Sequence, residues 1–371
     1  MSEAVEPTAP ASGKNEGAIL PSQALRRLIG PTGEIRLSQP LADNQLQPAS
    51  LDLRLGLHAW RVRASFLPGE SCTVADKLDA FGMHRMDISQ GAVLEKGCVY
   101  IVPLMESLAL SPAHSAMGNP KSSTGRVDVF TRLITDHGTE FDRIKPGYTG
   151  PLYAEIAPRT FSVLVRAGST LSQLRIRREA GARGPEHAAS QGLPPLPTGR
   201  VEPVTVDVLG AQSGGLIGYR AKLHAGLIDI DKRQQHAIED FWEPVHASTR
   251  GQGLVLDPGE FYILASKESV AIPPDSAAEM VAYDTLVGEF RVHYAGFFDP
   301  GFGYGDAGGG ARAVLEVRSY EVPFVLEHGQ TVGRLIFEPL TEAPEMLYGG
   351  GTLASNYQRQ GLALSKHFKP G

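Results

Sequence analysis

The chain has 371 residues, enough for two cores of ordinary size, with 42% hydrophobic and 20% charged residues. A net charge of −6 argues against a partner such as a nucleic-acid backbone, and no apolar run approaches the length of a membrane span. Two cysteines are too few for a disulfide framework, and the N-terminus lacks the features of a signal peptide. These features predict a cytoplasmic protein without a nucleic-acid or membrane partner.

The first predicted elements are a tail, a helix and a series of strands. Residues 1–17 are acidic and rich in Pro and Ala, which predicts a disordered tail. Ser22 precedes a helical apolar stripe that Gly30 and Pro31 end, so a helix is predicted there. Short apolar runs spaced by Gly and Pro then predict mainly β architecture: LDLRLGLHAW, GCVYIVPL, PLYAEI, FSVLVRA, FYILAS, ARAVLEVRS and GRLIFEPL.

An internal repeat relates the two halves of the chain. Residues 94–112 match residues 256–274 at an offset of 162 (256 − 94), with Leu, Gly, Tyr, Ile, Glu, Ser, Ala and Pro in register. Two later blocks follow in the same order, 144–150 with 298–304 and 165–176 with 326–337. The repeat predicts two copies of one β-rich domain, at 18–178 and 204–371, joined by a loop-like linker at 179–203.

Zinc deaminases carry H-x-E and P-C-x-x-C segments that supply the metal ligands and a proton-shuttling glutamate. Neither segment occurs, and Cys72 and Cys98 are far apart. The sequence also lacks HExxH, GxxxxGK[ST] and a GxGxxG motif followed by a helix, which argues against metal hydrolase, P-loop and Rossmann functions.

A candidate anion site lies in GNPKSSTGRVDVFTRLI (118–134). Apolar residues at helical spacing, Val127, Phe130, Leu133 and Ile134, predict a helix with Ser122 and Ser123 at its N-terminus. Such a terminus attracts anions, and Lys121 and Arg126 would complete a phosphate cradle. The alternative is a serine that only caps a helix between solvated cations.

A glutamate follows a Pro-Gly turn in an apolar strand once in each repeat, as Glu155 and as Glu316. Alternation along the strand points each glutamate away from its neighbours' face, into a pocket or an interface or out to solvent. A buried carboxyl with a raised pKa would serve as a general acid and base. An outward-facing glutamate of an antiparallel sheet is the alternative.

The C-terminal run YGGGTLASNYQRQGLALSKHF (348–368) combines a Gly-rich stretch with hydrogen-bonding side chains. It is typical of a mobile flap, and a disordered tail has the same composition.

Together these blocks resemble the dCTP deaminase branch of the dUTPase superfamily, in its long, duplicated bacterial form. The resemblance rests on QPASLDLRLG (47–56), PKSSTGR, HYAGFFDPGFG (293–303) with AVLEV, GQTVGRLIFEPL (329–340) and YQRQG, in the family's order. It implies duplicated dUTPase-like domains with a distorted β-barrel or jelly-roll fold and a few short helices. It also implies trimer-like packing of domains, hence a homo-oligomer, with active sites at the seams between domains.

The resemblance also implies roles for individual residues. The triphosphate would be held by Lys121, Ser122, Ser123, Thr124, Gly125 and Arg126, with Ser122 and Arg126 also near the base. Asp299 would contact the sugar or base, Val314 and Leu315 would offer backbone groups to cytosine, and Glu316 or Glu155 would shuttle protons. Tyr348, Asn356 and Gln360 would close over the phosphates, although Asn356 stands where the family usually has lysine.

Each half keeps only part of this pattern, since the first half has Lys145 where the second has Asp299 and the second half lacks paired serines. A composite site with Glu316 resolves this difference, and a site within the first half using Glu155 is the alternative. The implied reaction is hydrolysis of dCTP to dUTP and ammonia, with no zinc and with Mg²⁺ bound through the triphosphate. A dUTP diphosphatase, a bifunctional enzyme and a nucleotide-binding regulator are the other candidates.

Overall fold

The computed structural model describes residues 17–180, 200–211, 213–248, 253–282, 291–292, 296–305, 310–319, 321–350, 357 and 361–370. We call residues 17–180 the first half and the described residues from 200 onward the second half. Residues 1–16 of the predicted tail and residues 181–199 of the predicted linker lie outside the described residues. The last three residues of the predicted linker, 201–203, belong to a strand, so the second half begins earlier than predicted.

The strands of the first half are β1 (Ala18–Ile19), β2 (Ile35–Leu37), β3 (Leu51–Arg54), β4 (His58–Val62), β5 (Gly82–Asp87), β6 (Ala92–Leu94), β7 (Val99–Ala109), β8 (His114–Pro120), β9 (Val129–Thr135), β10 (Arg143–Ile144), β11 (Thr149–Pro158), β12 (Val163–Val165) and β13 (Thr170–Arg178). Its helices are α1 (Ser22–Leu28), α2 (Val74–Phe81) and the single turn α3 (Ser122–Gly125).

The described strands of the second half are β14 (Val201–Thr205), β15 (Leu216–Ala221), β16 (Ile228–Asp229), β17 (Trp242–His246), β18 (Leu254–Leu256), β19 (Phe261–Val270), β20 (Ser276–Ala282), β21 (Arg291–Val292), β22 (Gly296–Phe298), β23 (Ala311–Arg318), β24 (Phe324–Leu326) and β25 (Thr331–Pro339). The helix α4 (Ile238–Phe241) is short. No helix of the described ranges is both long and apolar enough to cross a membrane.

Most strands pair antiparallel, in sheets of similar make-up in the two halves. In the first half the sheet orders are β1-β13-β8-β10 and β5-β4-β7-β11-β9, with β3 beside β13 and β2 beside β7. In the second half they are β14-β25-β20-β22 and β17-β15-β19-β23-β21, with β18 paired to β24. The predicted mainly β class is confirmed, and α1 begins and ends where the sequence indicated.

The helix predicted over residues 127–134 is wrong, because these residues form strand β9 (Val129–Thr135). The spacing of Val127, Phe130, Leu133 and Ile134 indicates a helical stripe, but β9 pairs with β11 along its whole length. The segment is rich in β-branched residues, which favour a pleated surface, and sheet pairing therefore outweighs the apolar spacing. Between Lys121 and the end of β9, only the turn α3 is helical.

The matched blocks of the sequence form matching turns. In the last pair of blocks, Gly168 and Gly329 both have positive φ, 88° and 77°. The amides that follow them, of Ser169 and Gln330, donate to carbonyls three residues back at 3.0 and 3.1 Å. Because glycine adopts this conformation without a steric penalty, the recurring glycines fix the same chain reversal in both halves.

The two halves share an apolar core. Phe161 of the first half meets Phe241 and Trp242 of the second, each at a ring-centre distance of 5.5 Å. Strand β12 pairs in parallel with β16, which joins Val163 to Ile228 across the same boundary. We call this boundary the seam. Since buried side chains from both halves form one cluster there, the seam is a fixed packing surface.

Candidate active site

Two adjoining cavities lie on the seam. Both are lined by residues of both halves, and they share six: Lys121, Ser122, Phe297, Asp299, Tyr348 and Tyr357. The six shared residues make the two cavities one continuous site.

The first half supplies the segment 121–126, which we call the serine loop. Lys121 forms an ion pair with Asp52 and also donates to the hydroxyl of Thr170 at 3.0 Å. Arg126 is 3% exposed, and its guanidinium lies 3.8 Å from the ring centre of Tyr357. Lys121, Ser122, Gly125 and Arg126 line the first cavity, and Ser123 lines the second.

Ser122 and Ser123 stand at the start of a helix as predicted, but that helix is the single turn α3 and does not continue through residues 127–134. The amides of Thr124 and Gly125 already donate to the carbonyl of Lys121, at 2.8 and 3.0 Å. These two amides are therefore used within the turn, and the side chains of Lys121, Ser122, Ser123 and Arg126 line the cavities. Thr124 is fully buried and lines neither cavity.

The second half supplies Asp299 through a tight turn. The amide of Phe302 donates to the carbonyl of Asp299 at 3.1 Å, Pro300 follows Asp299, and Gly301 has a φ of 87°. Proline and then a glycine of positive φ are the central residues that a type II turn requires. Burial raises the pKa of Asp299 to about 6, while the Arg175 guanidinium opposes that rise.

Glu316 lies in β23, opposite Ile263 of β19, and lines the first cavity. It is 5% exposed, and burial raises the pKa of its carboxyl to about 7. The positive charge of Arg126, from the other half, lowers that pKa, and the nearby Asp128 carboxylate raises it. The site thus sets a carboxyl whose pKa is raised toward neutrality near the buried Arg126 guanidinium.

The structure gathers most of the predicted site residues and leaves others outside. Val314 lines the first cavity and Tyr348 lines both, whereas the Leu315 side chain is buried in the core of the second half. Asn356 and Gln360 lie outside the described residues.

Glu155 lines neither cavity. It is 1% exposed in β11, where it accepts hydrogen bonds from the Ser65 side chain and the Phe66 backbone. Its pKa is raised by burial, and the nearby Arg132 partly offsets that effect. Of the two glutamates that the sequence singled out, only Glu316 shares a cavity with the serine loop.

Family models and a solved structure match this chain over both halves. The model of the N-terminal domain of 2'-deoxycytidine 5'-triphosphate deaminase matches residues 16–180, and that of the C-terminal domain matches residues 196–368. The crystal structure of 2'-deoxycytidine 5'-triphosphate deaminase from Agrobacterium tumefaciens is 53% identical, with a TM-score of 0.78 over 87% of this chain and 99% of that one. The chain belongs to the dCTP deaminase family.

Two curated members of this family are shorter than the chain. The "dCTP deaminase, dUMP-forming" of Beutenbergia cavernae is 30% identical over 199 residues, which are 51% of this chain and 90% of that protein. The protein of the same name from Leifsonia xyli is 30% identical over 192 residues, 49% of this chain and 85% of that protein.

In this dCTP deaminase family member, two cationic side chains of the second cavity are not indicated by any sequence motif. Arg233 and Lys366 line the second cavity together with Lys121. Burial, together with the positive charges of Lys121 and Arg233, lowers the pKa of Lys366 to about 8. Arg233 and Lys366 are 133 residues apart (366 − 233), so no local motif could have joined them.

The cavity wall of this family member also includes the opening motif at 47–56. The amide of Ala49 donates to Asp299, and Asp52 lines the second cavity beside Lys121. Ser50 donates to the Gln173 side chain, another lining residue, at 3.2 Å. No group of three or more His, Cys, Asp or Glu side chains in the described part of the chain could hold a metal ion.

Proposed function

We propose that this chain hydrolyses dCTP to dUTP and ammonia in a single composite site on the seam. The observation that carries the proposal is the meeting of Ser122 and Arg126 from one half with Glu316 from the other around one buried cavity. A carboxyl with a pKa of about 7 serves equally as acceptor and donor of a proton at neutral pH, which this reaction requires.

In the proposed mechanism, a water molecule attacks C4 of cytosine and gives a proton to Glu316. Glu316 passes that proton to N3. It then takes the remaining proton of the new C4 hydroxyl and gives it to the amino group, so the C4–N bond breaks, ammonia leaves, a carbonyl forms at C4 and the carboxylate is restored. Ser122 and Arg126 orient the water and stabilise the charge that develops on the ring. One preorganised donor of this kind typically contributes about 10²–10³ in rate.

The triphosphate would lie in the second cavity. Three cations, Lys121, Arg233 and Lys366, outnumber the two carboxyl groups in the lining of this cavity, Asp52 and Asp299, on a chain whose net charge is −6. Ser123 and Tyr348 line the same space and would donate hydrogen bonds to phosphate oxygens. Mg²⁺ would enter as part of the substrate, bound through the phosphates, and no zinc is needed in this scheme.

For the sugar and base we propose that Asp299 and the backbone near Val314 make the polar contacts. Both residues line the first cavity, together with Phe297 and Phe302, whose rings offer flat apolar surfaces. A close fit around the sugar would exclude a 2′-hydroxyl and so select dCTP over CTP.

A second candidate, cleavage of the deaminated product to dUMP, is favoured by the printed names of the Beutenbergia and Leifsonia relatives, which are dUMP-forming. That reaction attacks phosphorus instead of C4 and releases pyrophosphate. The Asp52 carboxylate beside Lys121 would lie near the phosphates in such a reaction.

We further propose that residues 18–178 and 204–371 are two copies of one dUTPase-like barrel domain that assemble into a homo-oligomer. The equivalent registers of Glu155 opposite Ile101 and of Glu316 opposite Ile263 support the duplication. The matching glycine turns of the two halves support it as well.

The test is product analysis with zinc-free protein, dCTP and Mg²⁺. We expect dUTP and ammonia in equal amounts. Pyrophosphate with dUMP would instead identify the dUMP-forming reaction. Saturable dCTP binding without any product would identify a nucleotide-binding regulator and overturn the proposed deaminase.

A further inference from the structure

One face of strand β13 (Thr170–Arg178) is directed at the second half. Leu174 and Ile176 point into the core of the first half, where both are fully buried. The alternate residues Gln173, Arg175 and Arg177 therefore point the other way. Gln173 lines the second cavity, Arg177 forms an ion pair with Glu338, and Arg175 lies between them at the seam.

Arg175 reaches across the seam to the wall of the nucleotide cavity. Its guanidinium donates to the carbonyls of Ala278 and Phe298, at 3.0 and 3.3 Å, and to the Asp299 carboxylate at 3.4 Å. Its charged carbon lies 4.1 Å from the ring centre of Phe297. One side chain of the first half thus contacts three consecutive residues of the second half that line the first cavity.

The burial of Arg175 makes these contacts costly to lose. Arg175 is 2% exposed, and burial of a guanidinium is costly where its donors lack acceptors; the acceptors across the seam serve its two terminal nitrogens, while Nε has none among the described residues. Its planar fork suits this arrangement, because it donates to several oxygens while its flat face stacks on an aromatic ring. A lysine in its place would keep the charge and lose the fork and the stacking.

We propose that Arg175 is a positioning residue that fixes the Phe297–Asp299 wall of the nucleotide cavity from across the seam. The inference rests on the proposed deaminase function. Arg175 itself lines neither cavity, so it acts through Phe297 and Asp299. A shift of about 1 Å in a positioning group costs about 10²-fold in rate, which sets the scale of the effect.

The experiment compares R175M with R177M, which removes a seam ion pair of the same strand away from the cavities. We expect R175M to lower kcat/KM for dCTP by about 10²-fold, mainly through a higher KM, and to reduce the preference for dCTP over CTP. R177M should keep wild-type kinetics. Thermal unfolding of both variants measures any general loss of stability.

The outcomes separate this inference from the proposed function. If the wild type does not deaminate dCTP, the proposed function fails. If the wild type is active and R175M matches R177M in KM and in dCTP preference, the positioning role alone is wrong. If R175M does not fold, R175K decides, since a loss of roughly tenfold in kcat/KM supports the role and wild-type kinetics contradict it.

Discussion

Glu155 and Glu316 occupy equivalent positions in the two halves, yet their surroundings differ. Each lies in a strand after a Pro-Gly turn, opposite an isoleucine of the neighbouring strand. Glu316 opens onto a cavity and faces Arg126 from the other half. Glu155 is covered by the Ser65–Phe66 segment and lies near Arg132 of its own half. Equivalent positions in the two halves therefore need not share a function. Here only Glu316 has a cavity and a cation from the other half beside it.

Neutralising each glutamate in turn tests whether the two positions differ in function. E316Q should lower kcat by about 10²–10⁴, because the amide cannot shuttle a proton, while dCTP binding stays measurable. E155Q should keep the wild-type kcat. Ammonia release measures turnover, and calorimetric titration measures binding. Equal losses in both variants would contradict the assignment to Glu316.

A co-expression control tests whether the site lies within one chain. S122A and E316Q each remove one half's contribution to the first cavity. If both contributions come from the same chain, co-expressing the two inactive variants restores no activity. Recovery in mixed oligomers would mean that the serine loop and the glutamate meet between chains.

The cations of the second cavity can be tested as contacts of the triphosphate. Removing a charged donor to phosphate typically costs about 1.5–3 kcal/mol, so K366M should raise KM for dCTP about 10–100-fold with little change in kcat. The variant should also lose part of the dependence of KM on salt. The matched control is K369M, which replaces an exposed lysine three residues away. A normal KM for K366M would remove Lys366 from the triphosphate site.

The smallest change is expected in the pH dependence of kcat/KM. This dependence reflects the pKa values of essential groups in the free enzyme. Glu316, whose pKa is raised to about 7, must be deprotonated to accept the water proton, so kcat/KM should fall as pH drops below 7. Lys366, whose pKa is lowered to about 8, must be protonated to bind phosphate, so kcat/KM should fall above pH 8. Excess Mg²⁺ keeps the triphosphate ionised during the measurement. K366M should lose only the alkaline limb, and an unchanged limb would contradict this assignment.

Much of this architecture could be predicted from the sequence where the signal is local. Glycines after short apolar runs indicated the turns, and the repeat indicated which turns match. The segment after Arg126 was wrongly predicted as a helix, because apolar spacing cannot reveal that β11 pairs alongside it.

The site was harder to predict because its residues come from distant parts of the chain. Family resemblance pointed to Glu316 and the serine loop but left Glu155 open, since the covering Ser65–Phe66 segment has no sequence signature. Arg233 and Lys366 converge only in three dimensions. Arg175 did carry a signal, because the alternation of Gln173, Arg175 and Arg177 in LSQLRIRR puts polar groups on one face of a buried strand.

The seam has a consequence for how the enzyme behaves on dilution. When two groups that must meet are carried by one polypeptide, each experiences the other at an effective concentration in the millimolar range, whatever the amount of protein in solution. The Phe161–Trp242 contact and the pairing of β12 with β16 keep the two halves packed together. Specific activity should therefore stay constant on dilution to enzyme concentrations at which a site shared between two separate chains would dissociate.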